Sequence, residues 1–142
     1  MRWILPNGKQ IWQSDSIYRI NFDKPSRSKQ QFEVKQFFKK YCYNHILYEE
    51  YSLPGTLLKV DFISATQKWA WEHQGVGHFC FNKFYHNDSR AKYLNSLKND
   101  TKKYKILELN GYIIIESSPQ DLPITKDAGI VKNNYLKYTK MR

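Results

Sequence analysis

Within residues 59–78, KVDFISATQKWAWEHQGVGH, three groups able to do acid–base or metal chemistry interrupt an otherwise apolar stretch: Asp61, Glu72 and His78. The stretch belongs to two strand-like runs, TLLKVDFIS and QKWAWEHQG, around an Ala-Thr-Gln turn. Side chains alternate along a strand, so Glu72 and Gln74 share one face and Trp71 and His73 the other, while Asp61 goes with Lys59 and Ile63. If the strands pair, Asp61 and Glu72 approach closely. Two carboxylates that close repel and raise each other's pKa unless a cation lies between them. A hard divalent ion, Mg²⁺ or Mn²⁺, suits such an oxygen-rich site. There it would polarise a phosphodiester and make a water more nucleophilic. The alternative is structural, with Lys59 or Lys68 neutralising the two acids in salt bridges.

The elements that must position these groups are legible in outline. RWILPNGKQIWQS holds Asn7-Gly8 between two apolar-aromatic runs, a hairpin signal. A helix is expected from a cap at Ser26 or Ser28, with Val34, Phe37, Phe38 and Tyr41 as one apolar stripe and Glu33 at its edge. HILYEEYSL reads as a strand ending at a Pro54-Gly55 turn. After the two runs above, a long helix capped by Asp88 or Ser89 should stop at Asn110-Gly111, and YIIIES should follow as a buried strand. The order is hairpin, helix, three strands, helix, strand. It predicts an α/β fold with a central mixed sheet flanked by helices. Residues 1–25 are read as a hairpin extension, 26–118 as the core, and 119–142 as a basic tail or short helix.

Composition narrows the partners. The 142 residues carry 23 Lys and Arg against 13 Asp and Glu, a net charge of +10, which favours a polyanion, nucleic acid before an anionic membrane surface. The bland account is that the charge serves solubility. Met1 to Ile11 has no long apolar run and no membrane span is visible, so a cytoplasmic location is expected. Two cysteines, Cys42 and Cys80, suggest no disulfide framework.

The spacing D-x₁₀-E-x-Q-G-x-x-H, formed by Asp61, Glu72, Gln74, Gly75 and His78, resembles the core motif of the PD-(D/E)XK nucleases. The nearest branch is that of very-short-patch repair endonucleases and the related phage homing endonucleases. KVDF resembles its metal-binding strand, WEHQGVGH its second strand, Glu33 its upstream helical glutamate, and SLKNDTKKYKILELNGYIII its helix and following strand. The match runs from about Ser28 to Glu116. It departs from the family twice: Val60 stands where a proline is usual, and Gln74 replaces the signature lysine.

The resemblance implies a restriction-endonuclease-like fold and a metal-dependent DNA endonuclease of homing type, from a phage or mobile element and acting in the host cytoplasm. It implies that Asp61, Glu72 and the backbone carbonyl of His73 hold Mg²⁺ or Mn²⁺, with Glu33 on a second ion or its waters. Gln74 would position the attacking water and His78 would deprotonate it. Lys59, Lys68, Arg90, Lys98, Lys102 and Lys103 would hold DNA phosphates, and Asp100 would orient His78 or pair with Lys103. A homodimer or higher homo-oligomer would suit cutting both strands. Other readings are a Holliday-junction resolvase, a mismatch nickase, or a catalytically silent nucleic-acid-binding subunit. Cys42-x-x-His45 and His78, Cys80, His86 offer soft ligands, but a free core cysteine and a surface histidine are expected and no structural zinc. Trp3, Trp12, Tyr18 and Arg19 could stack on bases, though the apolar face of the hairpin is the preferred reading.

Overall fold

Asn7 and Gly8 turn the chain back at once: Gly8 adopts φ 85°, and the Lys9 N–H donates to Asn7 Oδ1 at 2.9 Å. The computed structural model describes residues 1–74 and 90–124. The turn joins β1 (Arg2–Ile4) to β2 (Gln10–Trp12) as an antiparallel hairpin. Helix α1 (Lys29–Tyr41) starts at Ser28, whose side chain accepts from the Gln31 N–H. Strands β3 (Leu47–Ser52), β4 (Lys59–Ser64) and β5 (Trp69–His73) follow, then α2 (Arg90–Leu109) and β6 (Ile113–Ser117). The four strands form one mixed sheet in the order β3-β4-β5-β6, with only β5 and β6 parallel. Helix α2 ends as expected where Gly111 takes φ 83°. No helix among the described residues is long and apolar enough to cross a membrane.

The sheet buries both faces. Phe38 of α1 packs on Phe62, Trp69 and Trp71 on one side. Ile106 and Leu107 of α2 pack with Val60, Ile63, Ala70 and Tyr112 on the other. Trp3 is fully buried on this second side, stacked on Tyr112 and donating to the Tyr51 hydroxyl at 2.9 Å. The hairpin is thus tied into the core through Trp3, whereas Trp12 is exposed. Tyr41, read as the last residue of the α1 stripe, is also exposed.

Strand alternation fails at one level of the sheet. In β4 both Val60 and Ile63, three residues apart, enter the α2 side, and in β3 Tyr48 and Tyr51 do the same. Between them the ladder passes from Glu49↔Phe62 to Tyr51↔Val60, and Glu50 takes φ 51°, the left-handed region. Alternation in β4 is therefore broken between Val60 and Ile63.

Glu49 and Glu50 both turn toward the start of α1. Lys35, fully buried, donates to Glu49 Oε1 at 2.9 Å and to the Lys24 carbonyl, while Glu49 Oε2 accepts from Ser26 and Gln31. This buried pair pins α1 over β3. Lys35→Met would leave Glu49 without its counter-charge, and breaking a buried pair from one side is strongly destabilising, here by roughly 3 kcal/mol. Urea unfolding should register that loss; a change below about 1 kcal/mol would show that the pair does not anchor α1.

Candidate active site

The β4–β5 ladder pairs Ser64↔Trp69, Ile63↔Ala70 and Phe62↔Trp71, and the next step of that register would set Asp61 against Glu72. Here the strands cease to exchange backbone bonds. The orphaned His73 N–H is taken instead by Asp61 Oδ2 at 2.9 Å, because a buried N–H must find an acceptor. The carboxylate replaces a ladder carbonyl, and its second oxygen, Oδ1, faces Arg27.

Both acids are buried, Asp61 and Glu72 each 5% exposed. Burial first, then the charge of Asp61, pushes the Glu72 pKa up to about 8 against the opposing pull of Lys103. Each acid has a cation of its own. Lys103 of α2 donates to Glu72 Oε1 at 2.5 Å, and Arg27 Nη2 lies 3.5 Å from Asp61 Oδ1. These are not the cations expected for a structural pairing: Lys59 is exposed, and Lys68 lies over the Tyr112 ring at 5.6 Å.

The residues after Glu72 divide between the faces as alternation predicts. Gln74, buried, donates from Nε2 to the Tyr104 hydroxyl of α2 at 2.8 Å. His73 points the other way, into a chain the sequence did not reveal. Trp71 Nε1 donates to Ser117 Oγ at 2.8 Å, which leaves the Ser117 hydroxyl to donate to His73 Nδ1, also at 2.8 Å. Nε2 then carries the ring proton and donates to Gln30 Oε1 at 2.7 Å. A neutral imidazole satisfies every bond in this chain, and burial lowers the His73 pKa in the same sense. The spacing W-x-H on one strand face is the signal that could have found it.

The other expected site residues are scattered. Glu33 is exposed on α1 and lines a groove with Gln36, Lys40 and Tyr41; its charge reaches His73. Among the described residues no three His, Cys, Asp or Glu side chains gather to hold a metal, so Glu33 does not complete a set with Asp61 and Glu72. Asp100 Oδ1 is 4.0 Å from Lys103 Nζ. Lys98 and Lys102 are exposed on α2, whereas Lys103, expected on that surface, is turned inward at 13% exposure. Gly75, His78, Cys80 and His86 and the caps Asp88 and Ser89 lie outside the described residues, as does the side chain of Arg90. Cys42 is a free, buried thiol as expected, its pKa pushed up to about 11 by burial, but His45 is buried too and not a surface histidine. Its backbone N–H closes a turn on the Cys42 carbonyl at 3.0 Å, which draws it inward.

What the pair of acids can hold follows from its chemistry. Two adjacent, buried, hard oxygen donors, with Glu72 held toward its neutral form by burial and by the charge of Asp61, fit a small divalent cation. One or two carboxylates with waters is a usual protein share of a Mg²⁺ shell.

Compared with family models, with curated proteins and with solved structures, the chain matches none. The geometry itself makes a prediction. Glu72 titrates near 8 in the fold but near 4.5 as a free group, so folding favours its neutral form. The stability this contributes is complete below about pH 4.5 and is lost as pH rises through about 8. In metal-free buffer, Glu72→Gln should therefore gain in melting temperature over the wild type as pH rises from about 5 to about 9. A difference between the two proteins that stays flat over that range would contradict the assignment.

Proposed function

We propose that this chain is a metal-dependent endonuclease that hydrolyses DNA phosphodiesters, built on a restriction-endonuclease-like core. The observation that carries the reading is the pair of buried carboxylates, Asp61 and Glu72, at the point where β4 and β5 part. Helix, three antiparallel strands, helix and parallel strand follow one another in the order that the motif resemblance implies. The net charge of +10 and the exposed lysines of α2 suit a polyanionic substrate.

In this reading Asp61, Glu72 and the backbone carbonyl of His73 would hold Mg²⁺ or Mn²⁺. The ion, when bound, supplies Lewis-acid polarisation of the phosphodiester and activation of water. The chain's own groups do the rest. Asp61, fixed by the His73 N–H, keeps one oxygen directed into the site. Gln74, which carries no charge and takes no proton, orients the attacking water through its amide while Tyr104 fixes that amide from α2. His78 is assigned as the base that takes the water's proton, and Glu33 as a group that reaches the site only through solvent. Lys98, Lys102 and Arg90 hold the flanking phosphates. A phage or mobile-element enzyme of homing type is the setting the resemblance favours, with a homodimer cutting both strands.

Incubation with supercoiled plasmid and Mg²⁺ or Mn²⁺ tests this directly. The wild type should nick or linearise the plasmid, and Asp61→Ala should reduce cleavage to background while DNA binding stays within about threefold, since that carboxylate serves the ion and not the phosphates. Cleavage confined to four-way junctions or mismatched duplexes would identify a resolvase or a mismatch nickase. Firm binding with no cleavage in either metal would identify a silent binding subunit, and equal activity in Asp61→Ala would remove the metal site from the account.

A further inference from the structure

We propose that Asp100 is the anion to which Lys103 retreats when a divalent ion takes Glu72, so that Asp100, itself no ligand, sets the metal affinity of the site. The inference rests on the nuclease reading above and adds to it a residue that acts through another.

Lys103 stands between two acids. Its Nζ is 2.5 Å from Glu72 Oε1 and 4.0 Å from Asp100 Oδ1. The first contact is a short, charge-assisted bond, and the second is an ion pair too long for a hydrogen bond. Asp100 lies three residues earlier on α2, and side chains on a helix lean toward its N-terminus, so the long Lys103 stem reaches back toward Asp100. A shift of the ammonium by about 1 Å would close the second contact to hydrogen-bond length. One lysine can thus serve either acid while its helix stays in place.

A divalent ion forces the choice. Bound to Glu72 Oε1, it takes the oxygen that the ammonium holds. Bound to Oε2, it stands one carboxyl group away from the ammonium, and like charges that close and so little hydrated repel strongly. Either way Lys103 is driven outward. Its side chain is 13% exposed, so water replaces little of the partner it gives up, and a cation left unpaired there would weigh against the ion. Asp100, 20% exposed, supplies the missing charge. Arg27 shows the same arrangement with a different balance, its Nη2 3.5 Å from Asp61 Oδ1 and its Nε 3.9 Å from Glu50 Oε1. Arg27 is 68% exposed, so water can take over from Asp61 and the outer acid matters less. Burial therefore singles out Asp100.

The test is a double-mutant cycle read as Mn²⁺ affinity by calorimetry, on the full chain at one pH, with Asp61→Ala as the blank for binding elsewhere. A melting curve checks that each variant is folded, and Lys103→Met takes the place of Lys103→Gln if the latter does not fold. With Lys103 present, Asp100→Asn should weaken Mn²⁺ binding about tenfold, within the usual coupling of groups in one network. In the Lys103→Gln background the same substitution should cost about twofold at most, the through-space effect of one partly exposed charge. Equal losses in the two backgrounds would overturn the proposal, because Asp100 would then act on the ion directly. An unchanged affinity in Asp100→Asn with Lys103 present would overturn it as well. Mn²⁺ binding by the wild type no stronger than by Asp61→Ala would instead remove the metal site, and with it the nuclease reading.

Discussion

The bond from the His73 N–H to Asp61 Oδ2 is the constraint on which the site depends. A sheet ladder normally consumes the backbone donors and acceptors between two strands. Here β4 and β5 stop exchanging bonds after Phe62 and Trp71, and a carboxylate takes the next donor. The substitution satisfies the backbone and fixes the Asp61 rotamer in one step. It also brings Glu72 beside Asp61, because the register that precedes the break puts them level. The departure from alternation in β3 and β4, with Glu50 in the left-handed region, accompanies this break on the neighbouring ladder. A non-glycine residue there costs on the order of 1–3 kcal/mol, which the surrounding bonds of Gln31 and Arg27 to Glu50 help to hold.

Electrostatics explains why so acidic a centre persists in so basic a chain. Burial and the charge of Asp61 both oppose ionisation of Glu72, and Lys103 pulls the other way. The fold supplies cations from both sides of the sheet, Arg27 from the segment before α1 and Lys103 from α2. A second buried ionic group, Lys35 with Glu49, fastens α1 over β3 and so holds Arg27 near Asp61. The site is held between two helices, each of which also presents or adjoins exposed basic residues.

Much of this was legible in the sequence. The hairpin at Asn7-Gly8, the Ser28 cap, the helix stop at Gly111 and the four sheet strands all follow from local turn and capping chemistry and from apolar periodicity. The nearness of Asp61 and Glu72 followed from strand pairing alone. What could not be read was the identity of their partners. Lys103 lies 31 residues from Glu72 and Arg27 lies 34 from Asp61, and no local rule selects them among 23 basic residues. Lys35 looks like a surface lysine beside the Val34 stripe, and only the arrival of Glu49 from another element buries it. The role of the His73 side chain is not legible locally, because it depends on Ser117 and Gln30, which come from β6 and α1. Alternation also does not foresee that Val60 joins the face of Ile63, since a period-two rule has no place for the left-handed residue in the neighbouring strand.

We propose that the parting of β4 and β5 creates a site for one divalent ion between Asp61 and Glu72. The most direct test is a crystal of the protein soaked in Mn²⁺ and measured for anomalous scattering. A peak is expected to bridge the two carboxylates at about 2.2 Å from an oxygen of each, with Lys103 moved off Glu72. A map with no peak there, Lys103 still bound to Glu72, and manganese only at surface acids would contradict it.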